Sequence, residues 1–496
     1  MVVRRRLRCL GGGSGGDNDR LPRRARAKKV ELDASQPSGP VWWFSRSLSL
    51  SHSPSPPTSL VHFPPQVAAA LASCAPDFAA IDALIAANVR RTQAAFAAAR
   101  IGPHHFAGST GYGKGDAGRA ALDRLMASLL GTPSAIVRPH FVSGTHAIAA
   151  ALFGALRPGD TLVTAAGAPY DTLEEVIGLP GRGAPGDGSL AEWGVAYRQV
   201  ELDAATGGID HAALAAAVTL STRVVLVQRS CGYAPRRTLT IAEIGEAVAT
   251  VRRAAAALGG EAAFKGGRSP VVAVDNCYGE FTEVAEPGAV GADLVMGSLI
   301  KAPGGTVAPG GGYVGGRPDL VSAAASRLTA PGIGLDAGAV DGATLRLLFQ
   351  GLYLAPHTVG EAVKGGRLIA AVAGRAGWGG AGGPASAADP PAGAPGPWPF
   401  ITAVKCGSAS RLVAFCRAVQ AASPVGSYVL PEPGATPGYA DPVVFGDGTF
   451  IDGSTAEASA DGPLREPFAA YCQGGSHWSQ WVAALEAAVA AFREEE

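Results

Sequence analysis

The sequence predicts an α/β fold built on a mostly parallel sheet, and three observations carry that expectation. Short β-branched runs recur between helical stretches from about residue 135 to 300: Ser134–Arg138, Asp160–Thr164, Thr222–Gln228 and Pro270–Asp275. These runs are apolar along both faces, as strands covered by helices on both sides must be. Finally, 496 residues at 47% hydrophobic content can bury a large core and form more than one domain.

The elements follow in order. Residues 1–65 form a leader unlike a packed domain, with ten Arg or Lys against two Asp in the first 30. A Ser/Pro-rich stretch without carboxylates fills residues 45–59. That composition suits an organelle transit peptide or a disordered extension, so the expected location is cytoplasmic or plastid/mitochondrial. Residues 66–350 are assigned to a large domain that opens with an Ala-rich helical segment at 66–100. Residues 351–496 are assigned to a smaller α/β domain, ending in a helix from about 477. It is interrupted at 374–399 by a Gly/Ala/Pro-rich segment, expected to be a mobile loop.

Composition excludes several function classes. A formal net charge of +0 gives no bulk attraction to nucleic acid or an anionic membrane. Uninterrupted apolar runs fall short of the roughly 20 residues that span a bilayer. Seven scattered cysteines without a Cys-x-x-Cys pair argue against a disulfide framework and against structural zinc. No metal site is expected.

Four features point to a pyridoxal phosphate (PLP) site. Phe141-Val-Ser-Gly-Thr-His-Ala-Ile148 opens a helical pattern, so Ser143, Gly144 and Thr145 would place hydroxyls and free N–H groups at a helix N-terminus. Such an end suits a phosphate, although by itself Ser143 reads equally as an ordinary N-cap. Tyr170 follows a strand and can stack on a ring or pack the sheet edge. The strand Val271–Val274 ends in Asp275-Asn276, where a carboxylate can keep a pyridinium nitrogen protonated. Lys301, in Gly297-Ser-Leu-Ile-Lys-Ala-Pro-Gly-Gly305, supplies the amine, and Ser298 three residues earlier adds a hydroxyl.

The sequence resembles the methionine γ-lyase-like family of PLP enzymes, described as cystathionine β-lyase family proteins involved in aluminium resistance. The resemblance rests on Gly111-Tyr-Gly-Lys-Gly-Asp-Ala-Gly-Arg119, Val137–Ala147, Pro169–Gly178, Val274-Asp-Asn-Cys-Tyr-Gly-Glu-Phe281, Gly297–Gly305 and Ser459-Ala-Asp-Gly-Pro-Leu-Arg465. It implies the fold-type-I PLP-dependent transferase architecture, with a seven-stranded sheet and a smaller C-terminal domain. It also implies a homodimer or homotetramer with its active site at the subunit interface. By the resemblance, cofactor contacts fall on Asp275, Asn276, Ser143, Gly144, Thr145, Ser298, Tyr170 and Lys301. A partner copy's Tyr-x-Arg would be matched by Tyr112, with Lys114 in the arginine's place and Arg119 as an alternative. Arg465 would clamp the carboxylate of the substrate.

The implied reaction is carbon–sulfur bond cleavage in a methionine-, cystathionine- or cysteine-type amino acid. Lys301 takes the α-proton, β- or γ-elimination follows, and Tyr170 or Tyr112 protonates the leaving sulfur. Three alternatives share parts of this pattern. A PLP aminotransferase or cysteine desulfurase would use the same cofactor residues. A nicotinamide oxidoreductase is disfavoured because Gly310-Gly-Gly-Tyr-Val314 follows no convincing strand. A non-enzymatic role in metal tolerance finds no carboxylate or His cluster to support it.

Overall fold

The computed structural model describes residues 63–183, 186–378 and 398–494. The chain divides into Met1–Leu60, outside the described residues, and one compact unit, Val61–Glu496. The transit-peptide expectation and residues 379–397 of the 374–399 segment therefore lie outside the described residues.

Helix α1, Pro65–Ala98, covers the Ala-rich segment read as helical. Its buried residues Val67, Ala70, Cys74, Asp77, Ile81, Asn88, Thr92 and Ala95 form one stripe at three- and four-residue spacing. By length and composition α1 is long and apolar enough to cross a membrane, although it holds no uninterrupted apolar run of that length. Its stripe packs on α8, Gly342–Arg375. The domain boundary expected at 350 falls inside α8, which runs unbroken through it.

The large sheet contains β1 (Ser134–Arg138), β2 (Thr161–Thr164), β3 (Ala196–Gln199), β4 (Thr222–Gln228), β5 (Val271–Asp275), β6 (Leu294–Ser298) and β7 (Gly312–Gly316). Their order is β1-β7-β6-β5-β4-β2-β3. Strands β3, β2, β4, β5 and β6 pair in parallel, while β7 runs antiparallel to both β6 and β1.

Alternation within the central strands divides the core. Val225, Val227, Val272 and Val274 face the side of α2 (Ala117–Leu130) and α6 (Ile241–Ala257). Val224, Leu226, Val271 and Ala273 face α3 (Gly144–Ala155), α4 (Asp171–Ile177) and α7 (Pro318–Leu328). Each fully buried valine contributes roughly 1.5–3 kcal/mol by leaving water.

Strand β7 includes part of the glycine run dismissed at the sequence level. A Cβ on Gly312 would meet the Ala147 Cβ at 2.9 Å, and one on Gly315 would meet Leu130 Cδ1 at 2.6 Å. Glycine lets α3 and α2 press against this strand, which erases the β-branched signature of a buried strand.

The small sheet has β8 (Thr402–Lys405), β9 (Val443–Val444), β10 (Ser459–Pro463) and β11 (Ala469–Gln473), ordered β8-β11-β10-β9 and wholly antiparallel. Helices α9 (Ala409–Ala421) and α10 (Gln480–Glu494) pack together, and with this sheet they share a core containing Phe415 and Trp481. The remaining helix, α5, spans His211–Ala217.

Candidate active site

Parallel strands deliver their C-terminal ends to one edge of the large sheet, and a cavity of about 510 Å³ lies there. Gln228 ends β4, Asp275 ends β5 and Ser298 ends β6, and all three line it. Ser143, Gly144, Thr145, Tyr170 and Lys301 line it as well. Six residues singled out from sequence, spread over 158 positions from Ser143 to Lys301, plus the backbone of Gly144, thus share one cavity.

The anion end is local chemistry at α3. Ser143 is its N-cap, and its hydroxyl accepts from the His146 N–H at 3.1 Å while keeping its own proton to donate. Thr145 and Thr172 share a hydroxyl hydrogen bond of 2.6 Å. Ser298 Oγ is buried with no hydrogen-bond partner among the described residues. A Cβ on Gly144 would lie 3.0 Å from the Ser298 Cβ and 3.4 Å from the Cys277 sulfur, so glycine keeps the helix end close to β6.

At the other end, burial raises the Asp275 carboxyl above its ordinary range, against the Cys277 N–H at 3.1 Å and the charge of Arg236. A buried carboxylate of this kind is stabilised by a cation beside it. Burial likewise lowers the Lys301 ammonium, while Asp461, Cys277 and Asp452 oppose that shift. The Lys301 amine donates to the Gly453 carbonyl and sits 5.1 Å from the Tyr278 ring centroid.

These observations test whether PLP fits. Helix-end N–H groups with an orphaned Ser298 hydroxyl suit a phosphate. Asp275 suits a ring cation, and Gln228 Oε1, also buried without a partner among the described residues, marks a second unmet polar contact. Tyr170 presents its ring beside Gly232, whose Cβ would meet Tyr170 Cδ2 at 2.8 Å. The residues fit the group.

Three sequence-selected residues do not line this cavity. The Asn276 side chain turns away, accepting from Arg229 at 3.0 Å and donating to Glu286 at 3.0 Å. Tyr112 is 74% exposed, with the Lys114 ammonium 5.7 Å over its ring. Arg465 is held by Asp171, Asp441 and the Tyr233 carbonyl. The alternative Arg119 is buried, its guanidinium spent on the Gly113 and Gly338 carbonyls.

Sequence reasoning missed Tyr278, Gln228 and Tyr439. Tyr278 was within reach, as an aromatic three residues beyond Asp275. Gln228 ends a recognised strand but has no motif around it. Tyr439 comes from an irregular loop before β9, and nothing local marks it. Its hydroxyl meets that of Tyr170 at 2.7 Å. Cys277 is half-buried and lines the cavity, with burial pushing its thiol pKa up. Among the described residues no cluster of His, Cys, Asp or Glu could hold a metal ion.

Comparisons with known proteins agree with this arrangement. The chain is 42% identical over 395 residues to the uncharacterized protein YnbB of Bacillus subtilis strain 168, covering 79% of this chain and 87% of that one. A carbon-sulfur lyase involved in aluminum resistance from Clostridium novyi NT superposes with a TM-score of 0.76 at 37% identity, covering 87% of this chain and 95% of that one. A Listeria monocytogenes protein, described as a candidate cystathionine beta-lyase involved in aluminum resistance, gives 0.76 at 40% identity, covering 85% and 98%. The α/β architecture and family resemblance read from the sequence are both supported by these structures. The family model for methionine gamma-lyase matches residues 65–493, which takes in both sheets and every residue of the cavity, and the chain belongs to that family.

Proposed function

We propose that the protein is a PLP-dependent carbon–sulfur lyase that acts on a sulfur amino acid by removing its α-proton and eliminating a thiol from Cβ or Cγ. The observation that carries this reading is the convergence of Lys301, Asp275, Tyr170, Ser298 and the α3 N-terminus on one cavity. When bound, the cofactor supplies an electron sink for the charge left on the α-carbon.

The chain's own residues supply the rest. Lys301 is the base: burial lowers its pKa, which favours the neutral amine that takes the proton. After taking the proton, its ammonium has the Gly453 carbonyl and the Tyr278 ring face to settle against. Asp275 balances positive charge at the base of the cavity. Burial raises the Tyr170 phenol well above its ordinary pKa, so it stays protonated and can deliver a proton to a leaving sulfur. Arg465 stands at the rim for the substrate carboxylate.

The reading includes a second copy. Lys301 is the only cation among the described lining residues, so a phosphate dianion lacks a fixed counter-charge. Tyr112 and Lys114, presented to solvent on one loop, are the groups a partner copy would bring. Mixing a Lys301→Ala chain with a Lys114→Glu chain tests this, since a shared site restores activity in part of the mixed assemblies.

The function itself is tested by loading the protein with PLP and offering methionine, cystathionine and cysteine. Thiol, 2-oxo acid and ammonia should appear together, and Lys301→Ala should lose both the near-visible absorbance band and turnover. Transfer of the amino group without release of thiol would make it an aminotransferase. Normal turnover by Lys301→Ala would overturn the assignment.

A further inference from the structure

Arg465 is the centre of a carboxylate-rich contact at the rim of the cavity. Its Nη1 donates to Asp171 Oδ1 at 2.8 Å and to Asp441 Oδ2 at 3.0 Å. Its Nη2 donates to Asp171 Oδ2 at 3.4 Å and to the Tyr233 carbonyl at 3.1 Å. Each partner adjoins the cavity wall: Asp171 lies between the lining residues Tyr170 and Thr172, Tyr233 follows Gly232, and Asp441 is two residues past Tyr439.

The two carboxylates are not equivalent. Asp171 is 6% exposed, sits in the first turn of α4, and also faces Arg182 at 4.0 Å. The helix N-terminus and a second guanidinium hold it in place. Asp441 has a side chain 37% exposed on an irregular loop, and among the described residues its side chain pairs only with Arg465. One guanidinium already faced by two carboxylates cannot gain a third without like-charge repulsion. A substrate carboxylate must therefore displace one of them, and the loosely held one is Asp441.

We propose that Asp441 occupies the carboxylate subsite of the substrate on Arg465, and that an amino acid binds by exchanging its α-carboxylate for that of Asp441. The exchange keeps the charge count around Arg465 unchanged. It also frees the loop that carries Gly438 and Tyr439 over the cavity, so carboxylate recognition and loop position are coupled. This inference rests on the reading that amino acids bind here with their carboxylate at Arg465.

The test uses the full chain loaded with PLP, and titration calorimetry with two probes. L-Alanine has the carboxylate but no leaving group, and L-alaninamide lacks the carboxylate. Asp441→Asn should bind L-alanine about tenfold tighter than the parent, the scale of one partly exposed charge-assisted hydrogen bond, with L-alaninamide unchanged. Asp441→Glu, which restores the competitor, should return L-alanine to near the parent affinity. Unchanged or weaker alanine binding by Asp441→Asn, or equal tightening of both probes, overturns the exchange. Parent and variants that retain the cofactor band but bind neither probe would instead sink the amino-acid reading, and the inference with it.

Discussion

Two loops meet at Lys301, and they are built on different principles. The loop after β5, residues 276–286, is set by buried polar bonds. Arg229, 1% exposed, donates to Asn276 Oδ1, the Gly279 carbonyl, Thr282 Oγ1 and Glu283 Oε1. Glu286 accepts from Asn276 and from the Phe281 N–H, and Asn88 of α1 donates to the Phe281 carbonyl. This network sustains left-handed backbone at Tyr278 (φ 67°) and Phe281 (φ 61°), an arrangement that costs free energy for non-glycine residues. The loop at 434–453 reaches the same lysine through the Gly453 carbonyl and covers the cavity with Tyr439. Its ties are mostly backbone bonds at its middle, where β9 pairs with β10, with the Gly434–Val443 bridge, the Gly446 N–H on Asp461 at 2.7 Å, the Asp447 N–H on Gln420 at 2.8 Å and Arg465 on Asp441, and none of them is a buried ion pair like those of Arg229. The contrast suggests a fixed floor for the cofactor and an adjustable cover for the substrate.

The contrast breaks most sharply at Arg229. Arg229→Met leaves Glu286 and Asn276 facing an apolar side chain, which should cost about 3–5 kcal/mol of stability, as removal of one buried ion-pair partner does. Urea unfolding of the loaded protein measures it. A loss below about 1 kcal/mol would mean that the loop is not held by its polar network.

Asp275→Asn comes next. Losing the charge that balances a ring cation should lower kcat by about 10²–10³, the scale of removing one preorganised electrostatic contact. Stability should change far less, because burial already disfavours the Asp275 carboxylate. Steady-state kinetics beside a melting curve separates the two.

These first two predictions also show what the sequence could convey. Strands β1, β2, β4 and β5 were legible because β-branched residues on both faces are what a covered parallel strand needs. The cofactor floor was legible for the same reason: strand ends and a helix N-cap are local features, so Ser143, Asp275, Ser298 and Lys301 could be ordered before any packing was known. Asn276 shows the limit, since adjacency to Asp275 says nothing about which way an amide turns once Arg229 is buried beneath it. Strand β7 was hidden because tight helix packing selected glycine there. The cover was almost illegible, as Tyr439 and Gly453 meet the site through tertiary contacts without local spacing. Arg465 was found only through the family pattern, and its two aspartate partners, 24 and 294 residues away in sequence, were not found at all.

Glu280 sharpens the comparison by pH. Burial pushes its carboxyl up to about 8, against the hydrogen bond from Tyr313 at 2.6 Å. A folded pKa above the unfolded value means that the stability Glu280 contributes is fully present below about 4.5 and is lost as pH rises through about 8. Other groups share that range, so the test is a difference. Glu280→Gln cannot titrate, and its stability should fall less between pH 5 and pH 8.5 than that of the parent, by on the order of a few kcal/mol. Parallel profiles would show that Glu280 is not protonated in the folded floor.

The smallest effect falls on the cover. Tyr439→Phe keeps the ring, which packs edge-on to Tyr170 at 6.1 Å between centroids, and removes only the hydroxyl that meets Tyr170 at 2.7 Å. One neutral hydrogen bond is worth about 0.5–1.5 kcal/mol, so the expected change is at most about tenfold in kcat/KM. It should appear with almost no change in the cofactor's absorbance band, because floor residues alone set the charge around the ring. Tyr170→Phe, altering the stacking residue itself, should shift that band and remove a candidate proton donor. If Tyr439→Phe shifts the band as much as Tyr170→Phe does, the cover also sets the surroundings of the ring and the division into floor and cover fails.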